Sequence, residues 1–301
     1  MIIELAVAFV WGAALTMAAT ILVRPILAAP VFQRTNYRGS TLAVGSGIVL
    51  VVANLLAATV GVLTTYWSTS SRVLDALRYS GVALVPILGF AFLGFIDDVG
   101  AIGETRGFLG HLRSLRHGQL TTGGLKLFGG GCLGLLLAQT DRLPGSSVFW
   151  LLLDAAIVAL AANLGNLFDR APGRTLKISA LALFVLAVTA VVGAGRQWDG
   201  KYVYVGFLIG VIAVMLRDDL REIVMLGDTG SNPLGAAVGM AALRYSQPVR
   251  IAVLVGLIAL NLASEKVSFS RVIDRTPPLR WLDRIGARPE RKATWPTSAG
   301  R

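Results

Sequence analysis

Apolar residues run along this chain in long unbroken stretches, not in the one-sided stripes of water-soluble helices. About 20 predominantly apolar residues carry a helix across the hydrocarbon core of a bilayer. Segments at or near that length fall at 1–23, 42–64, 80–96, 123–140, 147–165, 176–194, 202–216, 231–243 and 250–264. The pattern predicts an all-α polytopic membrane protein with about nine to ten transmembrane helices. The first stretch lacks a basic leader and a small-residue cleavage site, so it reads as a retained span. Residues 1–285 form one expected transmembrane domain, and 286–301 an expected disordered cytoplasmic tail.

Composition sharpens this picture. Only 15% of the 301 residues are charged, against about 25% in soluble domains. The 34 glycines suit closely packed membrane helices, and Gly129-Gly130-Gly131 reads as a helix contact. The single cysteine, Cys132, forms no intrachain disulfide and has no metal-ligand spacing around it. No internal repeat supports a transporter built from inverted halves.

The net charge of +11 is informative mainly through its placement. With the N-terminus outside and the C-terminus cytoplasmic, the inner segments are 24–41, 97–122, 165–176, 217–230 and the tail from 264. These hold most of the basic residues, as the positive-inside rule requires of a multi-pass inner-membrane protein. Anionic lipid head groups and phosphate substrates account for the charge, with no nucleic-acid partner. The same segments hold most of the 17 acidic residues. Asp97-Asp98 ends the third span in FIDDVG, Asp169 follows the fifth in NLGNLFDR, and Asp218, Asp219, Glu222 and Asp228 follow the seventh. Each group sits at the inner end of a helix, so packing can bring them to one membrane depth. Ionised groups there are costly unless solvated or paired. Asn163 and Asn166 share a face of the fifth span, and amides there require partners. Asp154, deeper in that span, reads as a helix–helix hydrogen-bonding residue outside the site.

The segment Gly227-Asp228-Thr229-Gly230-Ser231-Asn232-Pro233 is the most specific local signal. Gly227 and Gly230 permit backbone angles and close approach that side chains block. Asn232-Pro233 reads as a helix cap and first turn, which sets a positive dipole end beside the loop, a setting that suits phosphate. Scattered Asp and Asn with two histidines fit Mg²⁺ or Mn²⁺ better than zinc. No P-loop occurs. On the same side, 106–118 reads as an interfacial amphipathic helix containing His111 and His117. The segment 264–286, broken at Pro277-Pro278, has similar character, with Trp281 in the head-group layer.

FIDDVG, RGFLGHLRSLRHGQLTTGGLKL, NLGNLFD and MLGDTGSNPLG together resemble, in order and topology, the polyprenyl-phosphate N-acetylhexosamine-1-phosphate transferases, a superfamily that includes the MraY and WecA types. The resemblance covers about 24–283. It implies cytoplasmic active-site loops, Mg²⁺ (or Mn²⁺), and transfer of a sugar-1-phosphate from a UDP-sugar to a polyprenyl phosphate with release of UMP, for cell-envelope polymers. It implies Asn166 and Asp228 as metal residues and Asp97, Asp98 and Asp169 as catalytic carboxylates. Arg34, Arg38, Lys126, Asn163, Gly227, Gly230 and Ser231 complete the expected substrate contacts. A phosphate monoester is largely a dianion at neutral pH, so Asp97 and Asp98 are expected to act by positioning and metal electrostatics more than by removing a proton. Two departures stand out. Pro172 occupies the place of a second family aspartate, and no histidine follows His117, where the family carries a histidine-rich loop. They leave open a transferase with an altered donor sugar and a non-catalytic relative that binds lipid-linked phosphate or envelope-synthesis partners. The sequence also leaves a homodimer open.

Overall fold

A helix underlies every one of the nine apolar segments in the computed structural model, which describes residues 2–36, 38–65, 71–100, 121–139, 147–193 and 203–288. In chain order these helices are α1 (Ile2–Leu27), α2 (Ile48–Thr65), α3 (Ser71–Gly100), α4 (Thr122–Gln139), α5 (Val148–Phe168), α6 (Arg174–Gly193), α7 (Val203–Leu220), α8 (Asp228–Ala242) and α9 (Gln247–Lys266). Two short ones follow, α10 (Phe269–Arg275) and α11 (Pro277–Arg284). Helices α1, α5 and α9 are long and apolar enough to cross a membrane on length and composition alone. Apolar side chains such as Val10, Ile21, Phe92, Leu136, Phe184 and Leu262 stay exposed around the bundle. In water they would be a liability; facing lipid they are at home.

Helix α8 is the hub of the packing. Every residue from Thr229 to Ala237 is buried, and the helix lies against α3, α5 and α6. Small residues permit this: a Cβ on Gly235 would stand 2.2 Å from the Ala161 carbonyl oxygen. Helix α1 packs on α7 by the same device, with Gly210 against the Phe9 carbonyl. The glycine run in α4 behaves as expected at Gly129, where a methyl group would have to push the Leu93 side chain aside, while Gly131 faces open space.

The structure moves several expected boundaries. The second span starts at Ile48, because residues 41–43 form a strand instead of the first turn of a helix. Strands β1 (Gln33–Thr35) and β2 (Thr41–Ala43) make an antiparallel hairpin with Gln33 opposite Ala43. Helix α3 begins at Ser71, nine residues before its apolar stretch. The expected amphipathic helix 106–118, with His111 and His117, lies outside the described residues. The tail is helical on both sides of Thr276, and Trp281 is 66% exposed. Ala287 is buried, and 289–301 lie outside the described residues.

Candidate active site

Four helix ends from distant parts of the chain meet at one end of the bundle. Asp97 comes from the last turn of α3, Lys126 from the second turn of α4, Asp169 from the residue after α5, and Asp228 from the start of α8. The Lys126 Nζ donates to Asp97 Oδ2 at 2.9 Å and also bonds Asp228 Oδ2. Thr122, one turn before Lys126, donates its hydroxyl to the other Asp97 oxygen. The three side chains of this trio keep 19–24% of their surface. They are held in place and still reachable from water. Two carboxyl groups thus share one ammonium.

Asp98 does something different from its neighbour. Its Oδ1 accepts the Asp228 N–H at 2.9 Å, and its Oδ2 accepts the Thr229 N–H at 2.9 Å and the Thr229 hydroxyl at 2.6 Å. The first amides of a helix lack intrahelical partners, and a carboxylate there also meets the positive dipole end. Asp98 is therefore the cap of α8, supplied from another helix. This corrects the expected helix start at Asn232-Pro233: the helix opens at Asp228, with Gly227 in the capping place. It also means that the amides expected to cradle phosphate are bonded to Asp98, while those of Gly230 and Ser231 bond the Gly227 carbonyl.

Close approach explains the glycines of this corner. Gly227 has φ 69°, in the left-handed region, and a Cβ there would lie 2.6 Å from Asp98 Oδ2. Gly94 lets α3 lie against the Asp228 carbonyl, 2.1 Å from where its Cβ would be. The hairpin completes the clamp. The Met225 N–H donates to the Ala43 carbonyl at 2.8 Å, and Ser46 and Gly47 donate to Met225 and Leu226.

The remaining expected residues divide between those near the trio and those turned elsewhere. Asp169 is near it. Burial, then the carboxylates of Asp219, Asp228 and Asp98, push its carboxyl well above the ordinary aspartate range, and the Gly227 N–H offsets only part of this. Asn166 sits one turn before Asp169, its carbonyl accepting the Asp169 N–H at 2.9 Å. Arg34 spends its guanidinium on carbonyls of Val31, Gln33, Asp98 and Val99, so it caps the C-terminal end of α3 instead of waiting for phosphate. Arg38 pairs with Glu222 at 3.1 Å. Asn163 faces α9, where its amide donates to Asn261 at 2.7 Å. Gly230 and Ser231 are buried against protein, and the Ser231 hydroxyl has no hydrogen-bond partner among the described residues. Asp154 pairs with Arg250 at 2.6 Å, away from this cluster.

Sequence reading missed Thr122, Thr229 as a donor to Asp98, and Asp219, which holds the loop after Asp169 by accepting the Gly173 N–H at 2.5 Å. The signal for Asp219 was present in its tandem with Asp218, but nothing local distinguishes the two.

As for metal, no group of three or more His, Cys, Asp or Glu among the described residues has metal-holding geometry. Asp97 and Asp228 nevertheless already share a cation, and Mg²⁺ commonly takes only one or two protein carboxylates, with phosphates and water completing its shell. The donor set fits that ion.

No protein-family model matches the chain. Curated proteins do. It is 30% identical over 227 residues to the phospho-N-acetylmuramoyl-pentapeptide-transferase of Heliobacterium modesticaldum, covering 70% of this chain and 68% of that protein. It is 27% identical to the Clostridium perfringens transferase of the same name, over 68% and 67% of the two chains. For the Borrelia garinii protein of that name the identity is 26%, and the alignment takes in 66% of this chain and only 61% of the relative's length. The ordered motifs, the convergence of their carboxylates and these likenesses agree: the chain belongs, as a divergent member, to the phospho-N-acetylmuramoyl-pentapeptide-transferase family.

Proposed function

We propose that this protein transfers a sugar-1-phosphate from a UDP-sugar to a polyprenyl phosphate at the cytoplasmic face of the inner membrane, releasing UMP, in cell-envelope polymer synthesis. The observation that carries this is the meeting of Asp97, Lys126 and Asp228, from three helices, at a water-reachable end of an apolar bundle. Two anionic phosphates must come together there, and positive charge has to offset their repulsion. Asp97, Asp228 and, from the last turn of α5, Asn166 are the residues that would hold Mg²⁺ or Mn²⁺. Such an ion polarises phosphoryl oxygens and neutralises charge in the transition state. Lys126 supplies a positive charge to the same cluster. Asp98 keeps α8, and with it Asp228, in register. Asp169 adds a further carboxyl, whose ionisation depends on the cations around it.

The test uses the purified chain with undecaprenyl phosphate, Mg²⁺ and a panel of UDP-sugars, reading UMP and lipid product. One donor should give both, and Asp228→Ala should abolish them. A wild-type protein inert to every donor, yet retaining polyprenyl phosphate, refutes transfer and favours a non-catalytic lipid-phosphate binder.

A further inference from the structure

Lys126 raises a question that its family membership leaves open. Its Nζ bonds both Asp97 Oδ2 and Asp228 Oδ2. Asp97 is braced on the other oxygen by Thr122, and Asp98 is committed to the α8 cap. The two oxygens that Lys126 holds are therefore the carboxylate oxygens best placed for a shared cation. An ammonium and a divalent cation compete for these two oxygens, because like charges this close repel. Lysine carries its charge on a flexible four-carbon stem, unlike the planar fork of arginine. All three side chains are partly open to water, so the ammonium can leave without unfolding its helix.

We infer that Lys126 and the divalent cation exchange places. Asp97 and Asp228 would give these oxygens to the ion, and the Lys126 ammonium, released from them, would turn to the substrate phosphate. One lysine then serves first as counter-charge for the carboxylates and second as phosphate ligand, so that cation binding prepares phosphate binding. This rests on the divalent-cation reading proposed above.

The experiment follows the lysine itself. The purified full chain is titrated with Mn²⁺ by electron paramagnetic resonance, and acylation of each lysine by an amine-reactive ester is then measured by mass spectrometry with and without saturating Mg²⁺. Acylation of Lys126 is expected to rise at least several-fold with Mg²⁺. That of Lys177, whose ammonium bonds the carbonyls of Leu282, Asp283 and Ile285, should stay constant. Lys126→Gln should bind Mn²⁺ several-fold more tightly than wild type. Stoichiometric Mn²⁺ binding with unchanged Lys126 acylation, or weaker binding by Lys126→Gln, overturns the exchange while leaving the cation in place. Failure of the wild type to bind Mn²⁺ at all removes the cation reading, and the exchange with it.

Discussion

The adjacent aspartates Asp97 and Asp98 share a motif and little else. One faces an ammonium and water; the other is consumed by three donors at the start of α8. Their Asn variants should therefore part company. Asp98→Asn sets amide hydrogens against N–H and O–H donors, and an unmet buried donor costs about 1–3 kcal/mol. Its thermal midpoint should fall clearly, whereas that of Asp97→Asn should stay close to wild type while turnover drops most at low Mg²⁺. Equal midpoints for the two variants would refute the division. Gly227→Ala combines a left-handed backbone with a clash on Asp98. It should cost at least about 1–2 kcal/mol, seen as a lower midpoint and weaker Mn²⁺ binding; a variant with wild-type values for both would contradict the close approach. What sequence reading could see at this scale was which side chains carry charge. It could not see that Asp98's partners lie about 130 positions away, nor that Arg34 and Asn163 already have theirs.

Among the elements, the long apolar helices were legible because the 20-residue requirement is a length written directly in composition. The hairpin was not, since strands of three residues leave no periodic trace. The start of α8 was misplaced for a related reason. Gly-Asp-Thr-Gly has poor helix propensity, and tertiary capping by α3 overrides it. Beyond the core, α10 and α11 are fastened to the beginning of α6. Arg174 forms a two-pronged pair with Asp283, at 2.8 and 3.1 Å, and donates to Ser270, with both charges almost wholly buried. Breaking one partner of such a pair costs about 3–5 kcal/mol, and replacing both with apolar groups is often neutral. Arg174→Met should therefore release the segment 267–288 to limited proteolysis, and the double variant Arg174→Met/Asp283→Leu should restore much of the resistance. Equal cleavage of wild type and Arg174→Met would show that the pair does not hold the helices down.

Across the whole molecule, acidic groups gather at one end, and this has a titration signature. Asp169 is pushed upward by burial and by Asp219, Asp228 and Asp98. A carboxyl whose folded pKa exceeds its unfolded value, about 4, contributes stability that is complete below that unfolded value and is lost as pH rises through the folded one. In Mg²⁺-free buffer the thermal midpoint should thus decline as pH climbs from about 4 toward neutrality. Asp169→Asn should flatten that decline, and an unchanged slope in the variant would assign it to other groups. The gathering itself was readable from topology, because helices that alternate direction place every second connection on one side. The particular bonds within it were not.

The cap that joins Asp98 to α8 also has a consequence for biosynthesis. The ribosome extends the chain in order, so α3 is made long before the residues that satisfy its terminal carboxylate exist. Until Asp228 and Thr229 emerge, the Asp98 carboxylate lacks the three donors that later bond it. The cap is accordingly among the last contacts to form. Any chain truncated before α8 lacks every one of those donors and leaves the acidic end of α3 uncapped.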